Sequence, residues 1–176
     1  AGGDCAHWGP AQRLLINPEV EVAIIENGPE AMLREGLAYD RCQVGGITNI
    51  DPTQIPSDGY VDIPERLCLL LRTQLDVVLP TGLAVLNAAD PLVAAMAPLC
   101  DGEVILFAAD PEQALLAAHL GGGGRALSVR AGQAVLLGAG AAEAVADLAD
   151  LGSGVADAGL VDNLLAAIAA AWALGL

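Results

Sequence analysis

VEVAIIENGPEAMLREGLAYDRCQVGGITNI, residues Val20 to Ile50, is the stretch whose reading decides the fold. Two runs suited to buried strands, Val20–Glu26 and Gln43–Ile50, flank a segment in which Met32, Leu33 and Leu37 fall at helical spacing, the pattern of a βαβ unit. Parallel strands require a long crossover of this kind. Glu26 is then expected at the carboxyl end of the first strand, with Thr48 and Asn49 near the end of the second. That edge of an open α/β sheet is where ligands bind.

The chain on either side extends the same alternation. Upstream, Ala11–Ile16 reads as a helical turn closed by Asn17–Pro18, and His7 as an ordinary loop histidine. Asp51–Pro64 is a polar loop whose Asp51, Asp58 and Asp62 fit no standard calcium spacing and read as solvated turn residues. Glu65–Val78 carries Leu67, Leu70, Leu71, Gln74, Leu75 and Val78 along one stripe of a helix, with Leu69 on the opposite face. Pro80–Gly82 is expected to turn the chain into a strand, Leu83–Asn87. Asp90 then caps a helix running through Leu99, with Pro91 as its first residue.

A further strand, Glu103–Ala108, leads through a second Asp-Pro pair at Asp110–Pro111 into a helix, Glu112–Leu120. Gly121–Gly124 lacks both a preceding strand and a Lys-Ser/Thr ending, so it reads as a turn rather than a phosphate cradle, and His119 as a helix C-terminal residue. Ala126–Arg130 and Gln133–Leu137, joined by Ala131–Gly132, suggest a hairpin. Residues 138–159 show little pattern. Asn163–Leu174 reads as an apolar, largely buried helix with Asp162 or Asn163 near its start. The fold class is α/β: one Rossmann-like three-layer domain over residues 1–176, with a mostly parallel sheet and a β-hairpin near Ala126–Leu137.

Composition narrows the function. Acidic residues outnumber basic ones by 22 to 7, for a formal charge of −15, a field that repels nucleic acid and anionic membranes. The chain contains no lysine, so it cannot direct an ammonium at a nucleotide's phosphates as a P-loop does. Cys5, Cys42, Cys68 and Cys100 are scattered without ligand spacing, which argues against zinc and for buried free thiols in a reducing, cytoplasmic setting. No signal peptide is evident, and the apolar run Leu164–Leu176 is shorter than the roughly 20 residues that span a bilayer. No G-x-G-x-x-G follows a strand, which weighs against an unrelated dinucleotide-binding domain.

Five stretches, GDC at Gly3–Cys5, LREGLAYDRC at Leu33–Cys42, TNI at Thr48–Ile50, DVVLPTGLAVLNAADPLVAAMA at Asp76–Ala97 and NLLAAIAAAWALGL at Asn163–Leu176, together resemble the Mur-ligase-like central domain of the cyanophycin synthetases. The resemblance covers nearly the whole chain. It implies an ATP- and magnesium-dependent ligase that phosphorylates a carboxylate and passes the acyl group to an amine, building an Asp-Arg polymer. It places the family's phosphate loop upstream of Ala1 and its C-terminal domain beyond Leu176. Its implied site residues are Glu26 for the metal and Asn49, Asn87, Asp90 and Asn163 for the nucleotide, with no catalytic residue carried over.

The resemblance also shows departures. The arginine and glycines that follow the family's metal-linked glutamate are replaced here by Asn27, Gly28, Pro29, Glu30 and Ala31. An Asp-His pair is replaced by Gln54 and Ile55, two helix cations by aliphatic side chains in the run Leu69–Leu71, and a Thr-Gly-Pro element by Ala6, His7 and Trp8. Two functions are therefore expected as alternatives. One is a fragment of such a ligase, inactive alone and partnered by the enzyme's remaining domains. The other is a non-catalytic, degenerate Mur-like domain acting as an interaction or oligomerisation module between identical subunits.

Overall fold

The computed structural model describes residues 7–54, 61, 63–138, 140–150, 152 and 157–176. The expectations that fall on Gly3–Ala6, Ile55, Asp58 and Asp62 lie outside these residues. Six strands form one sheet in sequential order: β1 (Cys42–Ile47), β2 (Val78–Asn87), β3 (Glu103–Ala108), β4 (Arg125–Arg130), β5 (Gln133–Gly138) and β6 (Ala141–Asp147). β1 to β4 are parallel, and β4, β5 and β6 form an antiparallel meander.

The central strands alternate between two apolar layers. Ala84, Leu86, Leu106, Ala108 and Ala126 face a core shared with α2 (Pro29–Glu35), α3 (Pro64–Asp76), α4 (Pro91–Ala94) and α5 (Ala114–Gly121). Val85, Ile105, Phe107 and Leu127 face the opposite core, against Val161, Leu165 and Ala169 of α6 (Ala158–Ala173). This is the expected three-layer α/β domain. A short amphipathic helix, α1 (Trp8–Leu15), is tied to it through the Trp8 N–H, which donates to Glu35 at 2.7 Å, and through Gln12, which donates to the Ala38 carbonyl.

The expected β-hairpin is present. Ala131 and Gly132 have φ of 49° and 79°, the left-handed pair that a two-residue turn matched to strand twist requires. Of Gly121–Gly124, read as a turn, Gly121 closes α5 and Gly122–Gly124 form the turn. The Gly122, Gly123 and Gly124 amides bond back to carbonyls of α5, which leaves no nest of free N–H groups for a phosphate. His119 sits in the last turn of α5, its Nε2 3.0 Å from the Val104 carbonyl.

Several expectations are corrected. Val20–Glu26 is not a strand: it has no ladder partner among the described residues, and Val22 and Ile24 stand 51% and 87% exposed. Alternation of apolar residues makes a segment suited to a sheet, but a strand also needs a neighbour to pair with. The βαβ unit nearest the start of the sheet is therefore β1–α3–β2. Pro80–Gly82 lies within β2 and not before it, because β2 places Leu79–Gly82 against Gln43 alone, and such a bulge accommodates proline and glycine.

The helix expected through Leu99 breaks after Ala94 and resumes as a 3₁₀ turn at Ala97–Leu99. Asp110 does not cap α5. It accepts from the Glu112 N–H at 2.9 Å in a local turn, and the helix begins later, at Ala114. α6 starts at Ala158 with Asp157 as its cap, so Asp162 and Asn163 lie inside the helix. β6 was not anticipated. Its Ala, Glu and Val residues are mostly exposed, and backbone pairing to β5 holds it rather than burial.

Leu165 is fully buried and central to the α6 layer. Leu165→Ala is expected to cost about 2–5 kcal/mol in urea unfolding. Leu69→Ala, at a side chain 63% exposed, should stay within about 0.5 kcal/mol.

Candidate functional site

Beyond the carboxyl end of β1 the chain forms a cleft of about 500 Å³, lined by Ile25–Pro29, Gly46–Asn49, Asp51, Leu67, Leu71, Gln74 and Asn163. Three of the residues singled out from the sequence, Glu26, Asn49 and Asn163, meet in it. They come from an extended segment, a strand-end loop and a helix on the far side of the sheet, and their side chains are exposed to solvent.

Local chemistry holds these walls in place. Asn27 Nδ2 donates to the Tyr39 hydroxyl at 2.9 Å and to Gln74 Oε1 at 3.1 Å, which pins the segment bearing Glu26 to α3. Partial burial pushes the Tyr39 phenol above its usual range, so it stays neutral in this role. Asn49 Oδ1 accepts from the Thr48 hydroxyl at 3.1 Å. Asp51 Oδ1 accepts from the Thr53 N–H at 2.9 Å and its hydroxyl at 2.7 Å.

Asn87 and Asp90 lie outside the cleft lining. Asn87 is buried, and its Oδ1 accepts from the Ala89 N–H at 2.8 Å. Asp90 Oδ1 accepts from Leu92 N–H at 2.9 Å and Val93 N–H at 3.3 Å, capping α4, while Oδ2 accepts from the Ile50 N–H at 2.7 Å. One carboxylate thus joins the loop after β1 to the start of α4 through three backbone donors. Asp162 lies beside Asn163 in α6, with the Asn87 side chain near its carboxyl group. Burial raises its carboxyl above the ordinary aspartate range, and the neighbouring Asn87 amide pulls partly back.

Sequence reading missed Asp51, Gln74 and Asp162 as neighbours of the site. The position of Asp51, directly after Thr48–Ile50, is the one available signal. The contributions of Gln74 and Asp162 depend on how α3 and α6 dock. His7, read as an ordinary loop histidine, is brought 3.3 Å from Glu35. Glu35 is held below the usual range mainly by the Trp8 N–H. Cys42, Cys68 and Cys100 are free thiols, each pushed up by burial and so kept protonated.

Among the described residues no three His, Cys, Asp or Glu side chains cluster as a metal set, and no helix is long and apolar enough to cross a membrane. Among the described residues the cleft lining has two carboxylates, Glu26 and Asp51, and no basic residue.

The chain is similar in sequence to cyanophycin synthetases. It is 36% identical over 135 residues to that of Synechocystis sp., covering 77% of this chain and 15% of the relative. It is 38% identical over 109 residues to that of Crocosphaera subtropica (62% and 12%), and 34% over 122 residues to that of Trichormus variabilis (69% and 13%). The chain therefore spans between 12 and 15% of the length of these relatives. No protein-family model matches it.

Two substitutions test the arrangement. Asp90→Ala removes the α4 cap and strands the Ile50 N–H, and should cost about 1–3 kcal/mol in denaturant unfolding. For Asp162 the folded carboxyl is raised above 3.8, so its stabilising share is complete below that pH and is lost as pH rises through the folded value. Asp162→Asn should therefore unfold at a higher temperature than the parent at pH 7, and the two should converge at and below pH 3.8.

Proposed function

We propose that this relative of cyanophycin synthetases is the Mur-ligase-like, nucleotide-facing part of an ATP-dependent ligase that joins an acid to an amino acid, and that it is inactive without the rest of that enzyme. The observation that carries the reading is the convergence of Glu26, Asn49 and Asn163, distant in sequence, on one cleft at the carboxyl end of β1. Similarity to the ligases over most of the chain supports it.

The donor set suits part of the cofactor and not the rest. Magnesium typically takes one or two protein carboxylates and completes its shell with phosphate oxygens and water. Glu26 and Asp51 match that number, and the amides of Asn49 and Asn163 offer both donors and acceptors to a polar ligand. A triphosphate is a different matter. Acyl-phosphate chemistry concentrates negative charge that cations must offset. None lines this cleft, and the chain has no lysine to bring. The residues present do not fit a triphosphate by themselves, so the phosphate-binding cations must come from other parts of the ligase.

A second reading, a degenerate Mur-like interaction module, is favoured by the exposure of Leu69 on α3. One experiment separates the two. The 176-residue chain should show neither saturable Mg·ATP binding by calorimetry nor phosphate release. The complete gene product should hydrolyse ATP in a magnesium-dependent manner, and Glu26→Gln should lower turnover by about tenfold or more. Turnover by the short chain that Glu26→Gln abolishes would refute its inactivity. A complete gene product without a Gly-rich Lys-Thr loop and without ATP turnover would leave the interaction module.

A further inference from the structure

We infer that a second pocket, at the amino end of β3 and β4, binds an uncharged planar heterocycle that carries hydrogen-bond donors and acceptors in its plane: a free purine base or nucleoside of the guanine type. This pocket lies at the opposite end of the parallel strands from the cleft, and the inference does not use the ligase reading. Its volume of about 610 Å³ falls within the roughly 300–1,000 Å³ of small-molecule sites. The first residues of β3 and β4, the end of α5 with its glycine turn, the end of β5 and the last turns of α6 enclose it.

The walls are flat and conjugated. The guanidinium of Arg125 lies over the Trp172 ring, its carbon 4.9 Å from the ring centroid. The stem of Arg125 passes so close to Gly138 that a Cβ there would stand 3.2 Å from its Cγ. The His119 ring lies against Gly124, where any Cβ would collide with it. Two glycines thus make room for two planar side chains in one pocket, and planar groups recognise planar rings by stacking. Trp172 takes one face of the guanidinium, and 30% of the Arg125 side chain is still open to solvent.

Charge and hydrogen bonding select the ligand. The charged groups in the lining are Arg125 and Glu103, which pair at 3.0 Å and cancel. The Gly122, Gly123 and Gly124 amides are consumed by carbonyls of α5, so the turn adds no donors for an anion. A phosphate would have to displace Glu103 within a chain of formal charge −15, and a cation would meet Arg125. A neutral ring meets neither obstacle. Arg125 has N–H donors beyond the one that Glu103 engages. His119 Nε2 is 3.0 Å from the Val104 carbonyl, which can only accept, so Nε2 carries the proton. Nδ1 of the neutral ring is then an acceptor, and it has no partner among the described residues. Guanine complements this set: O6 and N7 are the acceptors that arginine pairs with, and its N–H groups are donors for His119 and Glu103.

Guanosine is the probe. Titrated into the nitrogen-labelled 176-residue chain and followed by NMR, it should bind saturably and shift the indole N–H resonance of Trp172, while that of Trp8 on α1 stays in place. Guanosine monophosphate should bind more weakly, in keeping with the absence of Mg·ATP binding expected of the same chain. Arg125→Met should weaken guanosine binding by about tenfold. Glu103→Gln changes a side chain 75% exposed, so it should fold normally; by unbalancing Arg125 it should narrow guanosine's advantage over the monophosphate by about twofold or more. No saturable binding, a shift confined to Trp8, a monophosphate bound as tightly as guanosine, or an unchanged advantage in Glu103→Gln would each overturn the inference. So would guanosine binding that calorimetry finds in the short chain and not in the complete gene product, because other polypeptide would then occupy the pocket.

Discussion

The fold depends on one constraint: the parallel strands β2, β3 and β4 are apolar on both faces, so each face must be covered. Leu86 and Leu106 look one way and Val85, Ile105 and Phe107 the other, all nearly or fully buried. The crossovers α3, α4 and α5 supply one cover, because parallel pairing forces a long connection between strands. The other cover cannot come from them. It comes from α6, whose Val161, Leu165 and Ala169 lie at helical spacing on its inner side. Aromatic residues contribute little here beyond Phe107, so stability depends on close packing of branched side chains.

The same arrangement assembles the cleft. Because α6 crosses the sheet from behind, it brings Asn163 to the carboxyl end of β1, where Asn49 and Glu26 already lie. Asp90 fixes the loop end of that region by gathering backbone donors from Ile50, Leu92 and Val93. A carboxylate engaged by three N–H groups has little acceptor capacity left for a ligand. Its presence in the sequence pattern is thus accounted for by architecture, and the same holds for Asn87, which is buried and bonded to Ala89. Charge gives the cleft its character: among the described residues its lining holds carboxylates and amides, without a cation. Such a lining can share a divalent ion with a ligand but cannot by itself offset several phosphate charges.

Much of this was legible in the residues. Strand periodicity located β3 at Glu103–Ala108, turn chemistry located the hairpin at Ala131–Gly132, and the leucine stripe located α3. Those signals are local, set by side-chain spacing and by which residues tolerate a given φ. The misreadings share a cause. Val20–Glu26 has the composition of a strand and lacks a neighbour. β6 has a neighbour and lacks the composition. Pro80–Gly82 resembles a turn and is a bulge, because what decides between them is the register against β1.

The sequence by itself determined the α/β alternation, the apolar layers, the acidic field and the absence of any lysine, since each follows from residue types and their spacing. Tertiary structure decided which of the candidate residues share a cleft, which are occupied in holding backbone together, and which strand is left with an open edge. Those outcomes depend on contacts between segments tens of residues apart, and no local spacing encodes which backbone group will meet which side chain across the sheet.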